Sequence, residues 1–205
     1  ALVYTFPISI GREGWATPLG TTKVVAKTKN PLWRVPASIR KEHAENGDPL
    51  PAVVPPGPDN PLGKFAMRLG ISGDYLIHGT NKPAGIGMRM SHGCIRMNPD
   101  DIEWLFPQVP VGMPVHIVNQ PLLMGAGGGG LYLEAHPALE EDKARRTSWL
   151  LKEIEKRQAR SPGMQVDYEQ VADITREHRG YPVSIMTGGP DTAATAAAAR
   201  WVTNT

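Results

Sequence analysis

Apolar side chains recur at every second position near the start of this chain. Leu2, Tyr4, Phe6, Ile8 and Ile10 alternate with Val3, Thr5, Pro7 and Ser9. A period of two places one set on one face of an extended strand, whereas a helix needs a period near 3.6. Pro7 has no backbone N–H to give to a ladder, which argues for an edge position. The pattern returns between Lys64 and Ile71, where Phe65, Met67, Leu69 and Ile71 share a face. Thr21 to Thr28, Asp74 to Ile77 (ending at His78) and Pro114 to Val118 read as further short strands, and Gly11 to Gly20 as a turn region. Many short strands between Gly/Pro turns predict a mainly β fold of the sandwich or barrel kind.

Between the second and third of these strands lies an irregular stretch, Asn30 to Gly63, carrying Pro31, Pro36, Pro49, Pro51, Pro55, Pro56, Pro58 and Pro61. A loop this long in a compact domain is usually functional or disordered. Trp33 and the prolines favour an ordered lid, with a short helix over Ser38 to Glu45. Asn98-Pro99-Asp100-Asp101 is a helix start: a capping residue, a proline suited to the first turn, and two acids at the positive end of the dipole. Ile102, Leu105 and Phe106 form that helix's apolar side.

Gly125 to Gly130 reads as a break. The expected organisation is a catalytic domain over 1–120, a glycine-rich linker over 121–130, a small helical C-terminal extension over 131–186, and a flexible tail over 187–205. The extension holds two predicted helices, Thr147 to Arg160 and Asp167 to Arg179, with Gly180 as a stop signal and Tyr181 to Met186 as a returning strand. The chain has 205 residues and a formal charge of only +2. No polybasic cluster calls for a nucleic acid. No apolar run approaches the roughly 18 residues of a membrane span. The chain opens directly on strand-like sequence without a leader, and is read as a fragment or processed form.

Cys94 is the one cysteine. A lone cysteine is ordinarily a small buried hydrophobe, but its surroundings are Ile77-His78-Gly79-Thr80, a linker with Pro83, Gly85 and Gly87, and then Ser91-His92-Gly93-Cys94-Ile95-Arg96-Met97-Asn98. A thiol becomes a good nucleophile when an imidazole within hydrogen-bond reach takes its proton, and an ion pair of the two lowers the thiol pKa. His78 and His92 compete as base. His78 arrives on a separate element, where it can be held independently of the nucleophile, and is preferred, with its ring expected within hydrogen-bond reach of the sulfur. For His92 the plainer reading is a ring that braces the loop; the other is a part in stabilising an oxyanion. Gly93 removes bulk before the nucleophile, and the N–H groups of Gly93 and Cys94 are candidates for an oxyanion site. Arg96 suits a substrate carboxylate, or else an ion pair with Asp100 or Asp101.

The block Ser91-His92-Gly93-Cys94-Ile95-Arg96-Met97, preceded by His78-Gly79-Thr80-Asn81, resembles the signature of the L,D-transpeptidase catalytic domain, the YkuD or ErfK/YbiS type. Gly14-Trp15-Ala16-Thr17-Pro18-Leu19-Gly20, Asn30-Pro31-Leu32-Trp33 and Asn60-Pro61-Leu62-Gly63 resemble its turn and loop motifs. The resemblance covers about residues 3–120 and implies a YkuD-like β-sandwich with one helix beside the active site. It implies that Cys94 attacks the carbonyl between the third residue and the D-alanine of a peptidoglycan stem tetrapeptide, releasing D-alanine and passing the acyl group to an amine. It further implies His78 as base, oriented by the Gly79 carbonyl; His92 and Gly93 at the oxyanion site; and Arg96, Ser91 and Trp33 toward the substrate. No metal or cofactor is implied. Acceptors would be another stem peptide, the terminal lysine of an outer-membrane lipoprotein or a free D-amino acid, between which the sequence does not choose, and the setting extracytoplasmic, in Gram-negative bacteria the periplasm. Family members usually carry strands ahead of the one that opens this chain, so the first strands are expected to be missing here or supplied by another polypeptide. Three other readings stand beside this one: an L,D-carboxypeptidase or other hydrolase using the same site, a zinc module ligated by His78, His92 and Cys94, and a non-catalytic wall-binding protein.

Overall fold

The computed structural model describes residues 4–127, 130–138 and 143–189. The chain divides into two compact units, residues 1–118 and 119–205, and each has its own hydrophobic core.

The first unit holds strands β1 (Ile8–Gly11), β2 (Gly20–Lys29), β3 (Trp33–Arg34), β4 (Val53–Val54), β5 (Phe65–Leu69), β6 (Leu76–His78), β7 (Arg89–Ser91), β8 (Ile95–Met97) and β9 (Pro114–Ile117), with helices α1 (Ala37–Glu45) and α2 (Pro99–Gln108). Seven strands form one mixed sheet in the order β7-β1-β8-β6-β5-β2-β9. Strand β1 is shorter than the alternation predicts and is not at an edge: it pairs with β7 on one side and β8 on the other. The strand starts just after Pro7, so the missing N–H falls outside the ladder. Tyr4 and Phe6 instead pack on Trp104, with ring centroids 4.5 and 5.8 Å apart. Residues 1–3 lie outside the described residues.

Strand β2 pairs its first half with β9 and its second half with β5, with a register break between Val24 and Ala26. A bulge of this kind bends a strand and strengthens its twist, and the sheet curls there around Val24, Met67, Leu69 and Met97. Helix α2 closes this core with Ile102 and Phe106. Asn98 precedes α2 as expected, but its side chain bonds Asp101 Oδ2 at 3.3 Å instead of a backbone N–H. At the other end, the helical partner of the Phe106 carbonyl would be the nitrogen of Pro110, which has no proton. Lys27 Nζ donates to that carbonyl at 2.5 Å and lies 4.3 Å from the Phe106 ring centroid.

The proline-rich segment is ordered. Strands β3 and β4 pair within it, α1 lies between them in sequence, and Asn60 ties it together. Asn60 is fully buried. Its Nδ2 donates to the carbonyls of Pro31, Val54 and Pro55 at 2.8, 3.3 and 3.1 Å, and its Oδ1 accepts from Leu62 N–H at 2.9 Å. The Pro31 and Pro55 carbonyls lie outside the strands and helices, and one amide side chain reaches both.

The second unit corrects two expectations. Residues 121–130 are not a linker: Leu122–Gly127 forms β10 and pairs antiparallel with β11 (Gly130–Ala135). Nor is the extension purely helical, because β11 also pairs with β12 (Val183–Ser184), giving a three-stranded sheet beside α3 (Lys143–Arg160) and α4 (Tyr168–Glu177). Leu131, Leu133 and Ala135 alternate inward, where they meet Leu150, Ile154, Val171 and Ile174 of the helices. Asp167 caps α4 by accepting from Gln170 N–H at 2.9 Å. Of the expected tail, residues 190–205 lie outside the described residues. Among the described residues, no helix is long and apolar enough to cross a membrane.

Candidate active site

Strands β6 and β8 run parallel, with Ile77 opposite Ile95 and His78 opposite Arg96. Residues opposite each other in a ladder share a face, and successive residues alternate. His78 and Arg96 therefore project from one face. The candidate base ends β6, and the candidate nucleophile Cys94 immediately precedes β8, the strand paired with it.

His78 is only 3% exposed. Its Nδ1 lies 2.6 Å from the Gly79 carbonyl oxygen. A carbonyl can only accept, so Nδ1 carries the proton of the neutral ring and Nε2 holds the lone pair. Burial, then the Arg96 cation, pushes the His78 pKa down to about 4, against hydrogen bonds to the Gly79 and Leu62 backbones that favour the charged form. The ring is neutral near pH 7 and is in the form a base requires.

Cys94 departs from the expected ion pair. Its thiol donates to the Asp74 carbonyl at 3.6 Å, and among the described residues no hydrogen bond joins the sulfur to His78. Burial pushes the thiol pKa up; the Leu76 backbone and Arg96 oppose this, and Asp74 reinforces it. Two neutral groups in a poorly solvated site cost less than a separated ion pair there.

The turn before the nucleophile is braced internally. Ser91 is 1% exposed. Its Oγ donates to the Cys94 carbonyl at 2.5 Å and accepts from Gly93 N–H at 3.1 Å. This changes two assignments. Ser91, expected at the substrate, faces inward as a brace, and the Gly93 N–H, expected at an oxyanion, is engaged within the turn. Gly93 itself has φ +101°, and a Cβ there would stand 2.7 Å from Cε1 of Tyr75. Only glycine fits both the backbone conformation and the aromatic ring above it.

His92 turns to other partners. Its Nε2 lies 3.2 Å from Glu42 Oε2 and 3.2 Å from Arg12 Nη2, and its ring meets Trp15 edge-on at 4.9 Å. Arg12 also pairs with Glu42. Glu42 and Arg12 escaped the sequence reading, because a charged residue in a short helix or a turn carries no local sign of a distant partner. Arg96 is half-buried; its Nε is buried without a hydrogen-bond partner, and among the described residues it forms no ion pair with Asp100 or Asp101. Trp33 sits on β3, paired with β4, and among the described residues no ring contact ties it to His78, His92 or another part of the site. Among the described residues, no three His, Cys, Asp or Glu side chains converge as metal ligands do.

Residues 1–117 match the family model described as the L,D-transpeptidase catalytic domain, YkuD. The chain is 39% identical over 199 residues to the probable L,D-transpeptidase ErfK/SrfK of Salmonella typhimurium, covering 92% of this chain and 62% of that protein. It is 48% identical over 143 residues to the probable L,D-transpeptidase YcfS of Escherichia coli, covering 68% of this chain and 45% of the relative. Among solved structures, it is similar to L,D-transpeptidase 3 from Mycobacterium tuberculosis in complex with a faropenem-derived adduct, at 25% identity, 54% of this chain, 43% of that one and a TM-score of 0.41. The chain thus spans about 62% of the length of the ErfK/SrfK relative. With the His-Gly-Thr and Ser-His-Gly-Cys blocks inside the matched region, this chain belongs to the YkuD family of L,D-transpeptidase catalytic domains.

Proposed function

We propose that the chain carries the catalytic centre of a peptidoglycan L,D-transpeptidase. The observation that supports this most is His78: a buried, neutral imidazole whose Nδ1 is pinned by the Gly79 carbonyl, at the end of the strand paired with the one that the sole cysteine immediately precedes. In the reading it supports, Sγ attacks the carbonyl carbon between the third residue and the D-alanine of a stem tetrapeptide as Nε2 of His78 takes the thiol proton. The tetrahedral intermediate collapses, the C–N bond breaks, and His78 returns the proton to the departing amine of D-alanine. An acceptor amine then attacks the thioester, His78 takes its proton, and the sulfur leaves as the new amide forms. Arg96, with its unpartnered buried Nε, binds a carboxylate of the stem. The acceptor is another stem peptide or the lysine of an outer-membrane lipoprotein, and the site works outside the cytoplasm.

The test is intact-protein mass spectrometry with a tetrapeptide donor and several acceptor amines. An acyl-enzyme that loses D-alanine and transfers to an amine is expected, with no adduct on Cys94→Ala. His78→Ala should slow acylation about 10²–10⁴-fold, the usual worth of a positioned base. Turnover by Cys94→Ala would end the cysteine mechanism. Release of the free tripeptide in place of amine transfer would identify a hydrolase.

A further inference from the structure

The nucleophile is mounted on a turn that contains Gly93 at φ +101°. Glycine has more freedom to lose than any other residue, so a turn built on it needs restraint from outside if the sulfur is to hold one place. Ser91 restrains the turn from within. The external restraint comes through His92, and three separate segments meet there. Arg12 follows β1, Glu42 is on α1, and His92 is two residues before Cys94. A single nitrogen, His92 Nε2, faces both a carboxylate oxygen of Glu42 and a guanidinium nitrogen of Arg12 at 3.2 Å. Trp15 closes the ring edge-on, and the His43 ring lies 6.5 Å away.

An isolated surface ion pair is worth little. This one differs because the third member is a side chain of the catalytic turn, with only 19% of its surface exposed. Helix α1 belongs to the proline-rich segment that Asn60 ties together. The cluster is therefore a bond between that segment and the turn that carries the sulfur.

We propose that Glu42 and Arg12 are positioning residues for the reaction described above: they grip His92 and through it fix the Ser91–Cys94 turn, so that the proline-rich segment and the nucleophile are held as one piece. The inference rests on the acyl-transfer reading for its catalytic consequence, and on geometry alone for the grip.

Glu42→Gln keeps the size and removes the charge; Glu42→Asp keeps the charge and shortens the reach. The experiment follows three readouts in the full chain: the ring-nitrogen titration of His92 by NMR, hydrogen exchange of the Gly93 and Cys94 amides, and the rate of thioester formation with a small carbapenem. The groups facing His92 are Glu42, Arg12, His43 and, from β8, Arg96; of these Glu42 favours its charged form while Arg12 and Arg96 oppose it. Glu42→Gln should therefore move the His92 titration to lower pH, speed exchange in the turn, and slow acylation about tenfold to a hundredfold, the scale of a small misplacement of a reacting group. Glu42→Asp should recover part of each. Three results would overturn the proposal: a variant with wild-type titration and exchange, a moved titration with wild-type acylation, or slowed acylation with an unmoved His92. A wild-type protein left unmodified by the carbapenem would count against the acyl-transfer reading instead, and the titration and exchange would still decide whether the grip exists.

Discussion

His78 is buried and Cys94 is half-buried, and burial bears on which proton state each holds at rest. Separating charge at a buried group is costly, so in the proposed reaction the thiol keeps its proton until an electrophile arrives, and the proton moves as the carbon–sulfur bond forms. This distinguishes the site from cysteine sites whose resting state is a thiolate. With Cys94 the only thiol, alkylation by iodoacetamide reports on it alone. The rate should keep climbing above the ordinary thiol value of 9.0, because burial raises the group. A plateau between pH 6 and 7 would show a resting ion pair and overturn this account. At this scale the sequence is a poor guide to protonation state, because local sequence has no record of how much water a fold excludes. Ser91 was misread for a related reason: a hydroxyl next to a nucleophile looks the same in sequence whether it faces the substrate or the backbone.

Among the elements, the strands were legible and their partners were not. Period-two alternation marked β5, which buries Met67 and Leu69, and marked β1 as a strand but not its buried face, which carries Ser9 and Gly11 while Ile8 is exposed; Asn98-Pro99 marked the start of α2. The parallel pairing of β6 with β8 depends on a crossover through β7, which no local pattern states. The proline-rich segment was legible as ordered, though not why. Asn60 explains it, and a buried asparagine inside a run of prolines is the signal that was available. Asn60→Ala removes hydrogen bonds to the Pro31, Val54 and Pro55 carbonyls and to Leu62 N–H. The cost should be about 2–3 kcal/mol, since buried groups are left without partners. Urea unfolding measures it, and limited proteolysis should show first cleavage between residues 30 and 63. A variant as stable and as resistant as wild type would mean that water replaces the amide fully.

Across the whole molecule, the two cores share no residue, and the acid response should originate in the unit that holds His78. Its pKa is about 4 when folded against an ordinary 6.5. The unfolded chain therefore takes up a proton below pH 6.5 that the folded chain refuses until about pH 4. The neutral ring's contribution is complete above pH 6.5 and is lost as pH falls toward 4, by up to about 3 kcal/mol. Urea titrations followed through hydrogen exchange in β5 and β6 should show stability falling across that window, and His78→Gln should flatten the slope. An equal slope in the variant would assign the acid response to other groups.

Because His78 ends β6 and Cys94 immediately precedes β8, two strands that pair directly, the placing of the candidate base and nucleophile is set by that pairing and not by the length of chain between them. The stretch from Gly79 to Arg89 is then free to lengthen or shorten without moving either reacting atom, provided β7 still finds β1. Gly87 in that stretch has open space around it, and an insertion there should leave the chemistry untouched. Two distantly related chains can therefore share this centre while disagreeing about how many residues lie between its halves, and a search that fixes that number will overlook true relatives.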